Sequence, residues 1–416
     1  MTQSHHAAPT LADFQAAREI VSDVIVETPM LNSYFLSQAT GVDVYLKAEN
    51  LQRTGAYKVR GAYHRMTKLS TDERKRGVVA ASAGNHAQGV ALAASKLGLQ
   101  ATIFMPVGAS LPKINATRGY GAEVVLVGAT FAESNRAAQE FAKEKGAVFI
   151  PPYDNLDVIL GQGTVALEIL EQYPDVENII VAIGGGGLAA GVAMAAKLRA
   201  AELGRKIKVF GVQSDHAAAY PPSLKEGHPV EIHTSPTIAD GIAVNKPGKI
   251  PFEFIAKHID KVVTVSENEI AKALLTLLER SKLVVEPAGA VPVAALMSGA
   301  IKPKGPTVAL LSGGNIDPLL MQKVIAHGLA ASERVINISV MLPDRPGQLV
   351  KTAEAIASVG GNVIEVIHTR HGNALQISAV ELNVSVETGG HEHRQKVLKA
   401  LREAGLKPQL QEARTE

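Results

Sequence analysis

Residues Ile179 to Ala196 read IIVAIGGGGLAAGVAMAA, a stretch without a charge and about as long as a helix that crosses a bilayer. Four consecutive glycines in its middle, Gly184 to Gly187, argue against one continuous helix, since each costs a helix interior about 1 kcal/mol relative to alanine. The stretch parses instead as a buried strand, NIIVAI, a glycine loop, and a small-residue helix running into Lys197 and Leu198. No membrane span is expected. A strand leading through a glycine loop into a helix is the repeating unit of an α/β protein, and it constrains how the rest of the chain can be read.

The same unit recurs. DVYLKA, GVVAAS, ATIFMP, EVVLVG, VFIPPY, KVFGVQ, KVVTVS and TVALLSGG read as buried strands, with helical stretches such as HAQGVALAASKLG and ATFAESNRAAQEFAKEKG between them. Valine- and isoleucine-rich strands alternating with amphipathic helices imply parallel sheets covered on both faces. Ligands of such sheets sit beyond the carboxyl ends of the strands. After VIAHGLAASERV the texture changes: VINISVMLPDRPGQLVKTAEAIASVGGNVIEVIHTR, NALQISAVELNVSVET, a charged helix from about His391 and a short strand near KPQLQE spell β-α-β-β-α-β, the split ferredoxin-like unit. A separate small domain is expected from about Arg334.

Composition narrows the function classes. With 416 residues the chain has room for two or three domains, and its 42 basic and 40 acidic residues are interleaved, leaving no electrostatic footprint for nucleic acid. It has no cysteine, which excludes disulfides, thiolate zinc sites and cysteine nucleophiles. The opening MTQSHHAAPTLADFQAAREI shows no basic segment followed by an apolar run, so no signal peptide is read and a cytoplasmic location is expected; His5 and His6 read as solvated terminus.

Four segments could carry chemistry. In TGAYKVRGAYHRM, Lys58 sits among small, aromatic and apolar residues; it is either an ordinary solvated lysine or an amine desolvated so that its pKa falls and it can act as nucleophile and base. SAGNHAQG, Ser82 to Gly89, opens a helix whose first N–H groups are free to hold an anion, and Asn85 and His86 add side-chain donors that would otherwise serve as caps. GGGGL, Gly184 to Leu188, is the strongest anion cradle. No lysine and serine or threonine follow it as in a Walker A loop. It fits the dinucleotide fingerprint as Gly184, Gly186 and Ala189, but KVFGVQ ends in Gln213, and Asp215 lies later than the acidic residue that fingerprint expects. In LSGGNID, Ser312 is a turn residue or a ligand, and Glu286 in VVEPAGA also fits as a dipole partner at a helix start.

Taken in order, the lysine motif, the Asn-containing anion loop, the glycine cradle and the serine-glycine loop resemble the fold-type II family of pyridoxal-phosphate enzymes, in its threonine dehydratase and serine racemase branch. The C-terminal segment with its LPDRPGQL turn is similar to an amino-acid-binding ACT domain. The resemblance implies two parallel-sheet subdomains in a catalytic domain over 1–330, the smaller inserted at about 50–150, followed by an ACT-like regulatory domain over 334–416.

It further implies that Lys58 carries pyridoxal 5'-phosphate as a Schiff base and removes the substrate's α-proton. Gly184, Gly185, Gly186, Gly187 and Leu188 would bind the phosphate, Asn85 the phenolic oxygen and Ser312 the ring nitrogen. Ser82, Ala83, Gly84, Asn85 and His86 would hold the substrate carboxylate, with Gly241 of TIADGIAV near the cofactor ring. Four positions depart from the pattern. Tyr57 stands where the family usually has phenylalanine. Ala83 stands where racemases have a proton-donating serine, which favours dehydration. Gln213 and Ala219 stand where cation-binding relatives have carboxylates, so no tight divalent metal site is expected.

The expected activity is loss of ammonia from L-threonine to give 2-oxobutanoate, with L-serine giving pyruvate as a poorer substrate. Serine racemase, hydroxyaspartate dehydratase, a nicotinamide oxidoreductase and a non-catalytic amino-acid sensor are the alternatives. Asp344, Gly347 and Asn362 would bind isoleucine or valine in the ACT-like segment, and a homodimer or homotetramer is expected.

Overall fold

The computed structural model describes residues 8–370 and 379–411; His5, His6 and the first residues of the stretch NALQISAVELNVSVET lie outside them. The chain divides into two compact units, Met1–Met321 and Gln322–Glu416. The division falls inside the helix Pro318–Ala331 rather than after residue 330, so that residues 322–331 of that helix group with the second unit.

The first unit holds two sheets built from strands β1 (Met30–Asn32), β2 (Val44–Ala48), β3 (Val78–Ala81), β4 (Ala101–Met105), β5 (Glu123–Leu126), β6 (Val148–Phe149), β7 (Asn178–Ala182), β8 (Lys208–Ser214), β9 (Lys261–Val265) and β10 (Thr307–Leu311). The larger sheet runs β1-β2-β10-β7-β8-β9, parallel except for β1 at its edge. The smaller runs β5-β4-β3-β6, all parallel. β1 is absent from the sequence reading, since three residues show no alternation to detect, and β6 is shorter than VFIPPY because Pro151 and Pro152 cannot donate to a ladder.

Side chains of β7, β10 and the helices Leu156–Gln172 and Gly187–Glu202 make one core, and β3, β4 and the helices Lys58–Thr67 and Asn85–Leu97 make another. Three of these helices cross at glycine contacts. A Cβ on Gly161 would lie 2.5 Å from the Arg60 carbonyl, and one on Gly163 would lie 2.7 Å from that of Gly191.

Four charges are buried between the cores. Arg60 is held by both carboxylate oxygens of Glu49, each at 2.8 Å, and by those of Glu168 at 2.6 and 3.0 Å; Lys47 Nζ donates to Glu168 at 2.8 Å. Two cations balance two anions, which is what allows charge to be buried at this depth.

The second unit is a β-α-β-β-α-β fold: β11 (Val335–Pro343), helix Gln348–Ala357, β12 (Asn362–Thr369), β13 (Ala379–Glu387), helix His391–Glu403 and β14 (Pro408–Leu410). The sheet is antiparallel in the order β12-β13-β11-β14, and alternating residues of β11 and β13 face a core with Ile356, Val397, Leu398 and Leu401 of the helices.

Candidate active site

The neighbouring parallel strands β2, β10 and β7 deliver three of the expected segments to one edge of the large sheet. The lysine segment follows β2, the serine-glycine loop follows β10, and the glycine loop follows β7. The first two are tied together: Ala56 bridges Gly313, Tyr57 N–H donates to the Ser312 carbonyl at 3.1 Å, and Gly314 N–H to that of Gly55 at 2.8 Å. The Asn85 segment arrives from β3 of the small sheet.

Lys58 opens the helix Lys58–Thr67, half-buried, with Nζ 2.9 Å from the Pro152 carbonyl and 5.3 Å from the centroid of the Tyr57 ring. Burial lowers its pKa to about 8, against the pull of the Glu286 carboxylate. This placement fits the desolvated reading of the lysine better than the ordinary solvated one. The Tyr57 hydroxyl is pushed up by burial and by Glu286, so it stays a neutral phenol.

Glu286 is buried immediately before the helix Pro287–Met297. Its pKa is pushed up to about 7, by burial first and by Asp240 second, while a 2.6 Å hydrogen bond from Asn85, Lys113 and Lys58 pull the other way. Asn85 accepts in turn from Asn315 Nδ2 at 2.8 Å, which leaves one N–H of its amide without a partner among the described residues. Gly313 sits against both, since a Cβ there would lie 3.0 Å from Asn85 Nδ2. Gly241 is exposed, and a Cβ on it would lie 3.9 Å from Glu286 Oε1. Sequence reasoning placed Glu286 only as a dipole partner; an acid before a helix start gives no sign of the Asn85 bond across 201 residues.

The remaining expected positions fall in two groups. Ser82 Oγ accepts from Gly84 N–H at 3.1 Å, and Ala83 packs against the small-sheet core. His86 is buried with Nε2 2.9 Å from the Ile150 carbonyl; burial, and then the Lys58 charge, lower its pKa to about 3. A neutral ring already committed to a carbonyl leaves the helix-opening N–H groups of Asn85, His86 and Ala87 as the donors this segment can offer. Asp344, Gly347 and Asn362 all lie in the second unit. Asp344 and Gly347 follow the Pro343 end of β11, whereas Asn362 pairs with Glu387, which faces Val335 at its other end, so one chain does not bring the three together.

The glycine loop fits a phosphate. Gly186, at φ 103°, caps the helix Gly187–Glu202, whose first internal bond is Ala190 N–H to the Gly186 carbonyl at 2.8 Å; Gly187, Leu188 and Ala189 keep their N–H groups for an anion. Side chains would close the cradle. A Cβ on Gly185 would meet the Tyr153 ring at 2.5 Å, and one on Gly186 would strike the Tyr220 hydroxyl. Tyr220 in turn donates to the Gly185 carbonyl at 3.2 Å.

Residues 21–313 match the family model described as pyridoxal-phosphate dependent enzyme. The chain belongs to that family. Its fold is type II, with pyridoxal phosphate as cofactor. The chain is 45% identical over 393 residues to L-threonine ammonia-lyase of Thermotoga maritima, covering 94% of this chain and 97% of that one. Among solved structures, the processed form of threonine deaminase isoform 2 from Solanum lycopersicum superposes with a TM-score of 0.72 at 39% identity, covering 76% of this chain and 93% of that one. Maize serine racemase gives a TM-score of 0.72 at 31% identity, with 78% of this chain and 98% of that one covered. No helix among the described residues of this pyridoxal-phosphate enzyme is long and apolar enough to cross a membrane.

At the position of the expected missing metal ligand, the Gln213 amide is used within the protein. Its Nε2 lies 3.3 Å from the Ile183 and Ala217 carbonyls, and its Oε1 accepts from Tyr220 N–H at 2.9 Å.

Proposed function

We propose that the chain is an L-threonine ammonia-lyase: L-threonine loses water, and the released enamine takes water up again and falls to 2-oxobutanoate and ammonia. L-serine, giving pyruvate, is a poorer substrate. Bound pyridoxal phosphate supplies an electron-withdrawing ring that lowers the cost of removing the substrate's α-proton. Lys58 holds the cofactor and its amine takes that proton. Gly184, Gly185, Gly186, Gly187 and Leu188 would hold the phosphate through backbone N–H groups, Asn85 would offer an amide N–H to the phenolic oxygen, and Ser312 would partner the ring nitrogen. A neutral serine hydroxyl there does not stabilise a positive ring as a carboxylate would, which favours rapid elimination. Residues Ser82 to His86 and Gly241 position the substrate carboxylate, and Ala83 has no proton to return to the second face of the α-carbon.

The observation that carries this reading is the convergence, at one edge of the large sheet, of the Lys58 amine, 2.9 Å from the Pro152 carbonyl, with the glycine cradle and the serine-glycine loop; burial there lowers the amine's pKa to about 8. An amine near that value can give and take protons at neutral pH, where a solvated lysine stays charged. The experiment is keto-acid production from L-threonine by the pyridoxal-phosphate-loaded protein, with L-serine alongside. Cofactor absorbance without keto acid from either would sink the assignment in favour of a sensor.

The second unit is proposed as an ACT-like regulatory domain that binds isoleucine or valine through Asp344, Gly347 and Asn362, in a cytoplasmic enzyme of isoleucine biosynthesis. Gly347, at φ 88°, precedes the helix Gln348–Ala357, whose opening N–H groups suit an α-carboxylate. Because Asn362 lies at the other end of β11, one ligand reaches both places only across two copies of the chain, in keeping with a homodimer or homotetramer. A typical coupling of about 1–3 kcal/mol changes affinity roughly 5–150-fold. Isoleucine should inhibit threonine turnover by the whole chain and not by a chain ended after Ala331; indifference of the whole chain to both amino acids refutes the regulatory role.

A further inference from the structure

The middle of the helix Leu156–Gln172 reads Gly161-Gln162-Gly163. Gly161 lies against the helix that begins at Lys58, and Gly163 against the helix that begins at the glycine loop, so Gln162 occupies the wedge between them. Its side chain is fully buried, and neither end of its amide, Nε2 or Oε1, has a hydrogen-bond partner among the described residues. The other side chains with an orphaned buried atom differ. Asn50, Arg65 and Arg394 each bond through another atom of the same group, and Ser110 has a single hydroxyl and is only half-buried.

An amide buried with both ends unpaired is costly, because each end has given up hydrogen bonds to water and gained none in return. Such a group calls for a ligand. The direction in which it points identifies that ligand. Gln162 Oε1 lies 2.8 Å from where a Cβ of Gly187 would stand, against the first residue of the helix whose free N–H groups form the phosphate cradle. With neither end bonded, rotation of the amide brings Nε2 to the same place at no cost in hydrogen bonds.

We propose that Gln162 belongs to the phosphate cradle, its carboxamide N–H donating to the cofactor's phosphate from beneath Gly184–Leu188. It is a positioning residue, and because it is wedged against Gly61 as well, it sets the spacing between the lysine helix and the phosphate loop. Being neutral, it strengthens the hold on the phosphate without adding a charge. The inference rests on the placement of the phosphate at Gly184–Leu188.

The test compares pyridoxal phosphate with pyridoxal, which lacks the phosphate, by equilibrium titration of the full chain freed of cofactor and followed by bound-cofactor absorbance. Gln162→Leu should weaken pyridoxal phosphate about tenfold or more, as expected for a hydrogen bond to a charged group, and leave pyridoxal unchanged. Gln162→Met, also without a donor and more adaptable in shape, should do the same if leucine fails to fold. Equal weakening of both ligands means a packing role and overturns the proposal, as does no weakening of either. Gly185→Ala serves as the control for the cradle itself. Selective loss there with none in the Gln162 variants overturns the role of Gln162 alone, whereas selective loss in neither overturns the phosphate placement as well.

Discussion

Arg60 stands two residues along from the lysine that opens its helix, and replacing it by methionine removes the guanidinium while keeping most of its length. Glu49 then loses two donors at 2.8 Å and Glu168 loses those at 2.6 and 3.0 Å, leaving Lys47 as the one cation against two buried carboxylates. Removing one partner of a buried ion pair costs about 3–5 kcal/mol. At about 2.1 cal/mol/K of unfolding entropy per residue, a unit spanning Met1–Met321 shifts by about 1.5 °C per kcal/mol, so the midpoint should fall by about 4–8 °C. The loss should also depend on pH. In the parent, burial pushes the Glu49 carboxyl up, but the charge and hydrogen bonds of Arg60, with Lys47 and Thr28, more than offset this and hold it below its ordinary 4.5. A depressed carboxylate stabilises the fold above its unfolded pKa, and that contribution is lost as the pH falls through the folded value. In Arg60→Met burial prevails, the neutral carboxyl is favoured, and the penalty grows as the pH rises, by at most about 1.4 kcal/mol per unit for one proton. Thermal unfolding at fixed scan rate and saturating cofactor, at pH 5.5 and 8, should therefore show the larger deficit at pH 8. Adding Glu168→Gln should recover part of it by restoring one cation to one anion. A midpoint within about 1 °C of the parent at both pH values, or an equal deficit at both, would refute the reasoning.

Lys58→Ala should retain the fold and lose nearly all threonine turnover, since acid-base catalysis alone contributes about 10²–10⁴-fold; near-parental keto-acid production would end the proposed mechanism. In the parent, the rate at which cofactor-free protein captures pyridoxal phosphate should rise about tenfold per pH unit and level off above about 8, because only the neutral amine attacks; a plateau delayed to pH 10 would mean that Lys58 is not desolvated. Ala83→Ser should introduce some D-serine formation by supplying a donor on the second face, read by chiral chromatography; no D-serine with elimination unchanged would remove this residue from control of the outcome. Chelators should leave turnover intact, since Gln213 spends both ends of its amide on Ile183, Ala217 and Tyr220; a loss restored by magnesium would contradict this.

The glycine loop, the order of the loops that follow the strands and the β-α-β-β-α-β unit were legible because each is written in contiguous residues: a run of apolar side chains, a run of glycines, an alternation along β11 and β13. What stayed hidden depends on long-range contact. Lys47 reads as one polar position in a strand, and Glu168 as one acid on a helix, yet they meet at 2.8 Å across 121 residues. A lysine or glutamate is almost never fully buried unless paired, so taken singly each reads as solvated, and only the fold shows the partner. Gln162 was missed for a related reason. Its flanking glycines look like weak points in a helix until the structure shows a different helix against each of them. The motif residues name the chemistry, but the pairing of Arg60 with Glu49 and Glu168, and the wedging of Gln162 between Gly61 and Gly187, are contacts that no motif spells out and that set how the lysine helix packs. Substitutions at these two positions therefore separate a sequence that merely carries the family's motifs from one that can align them.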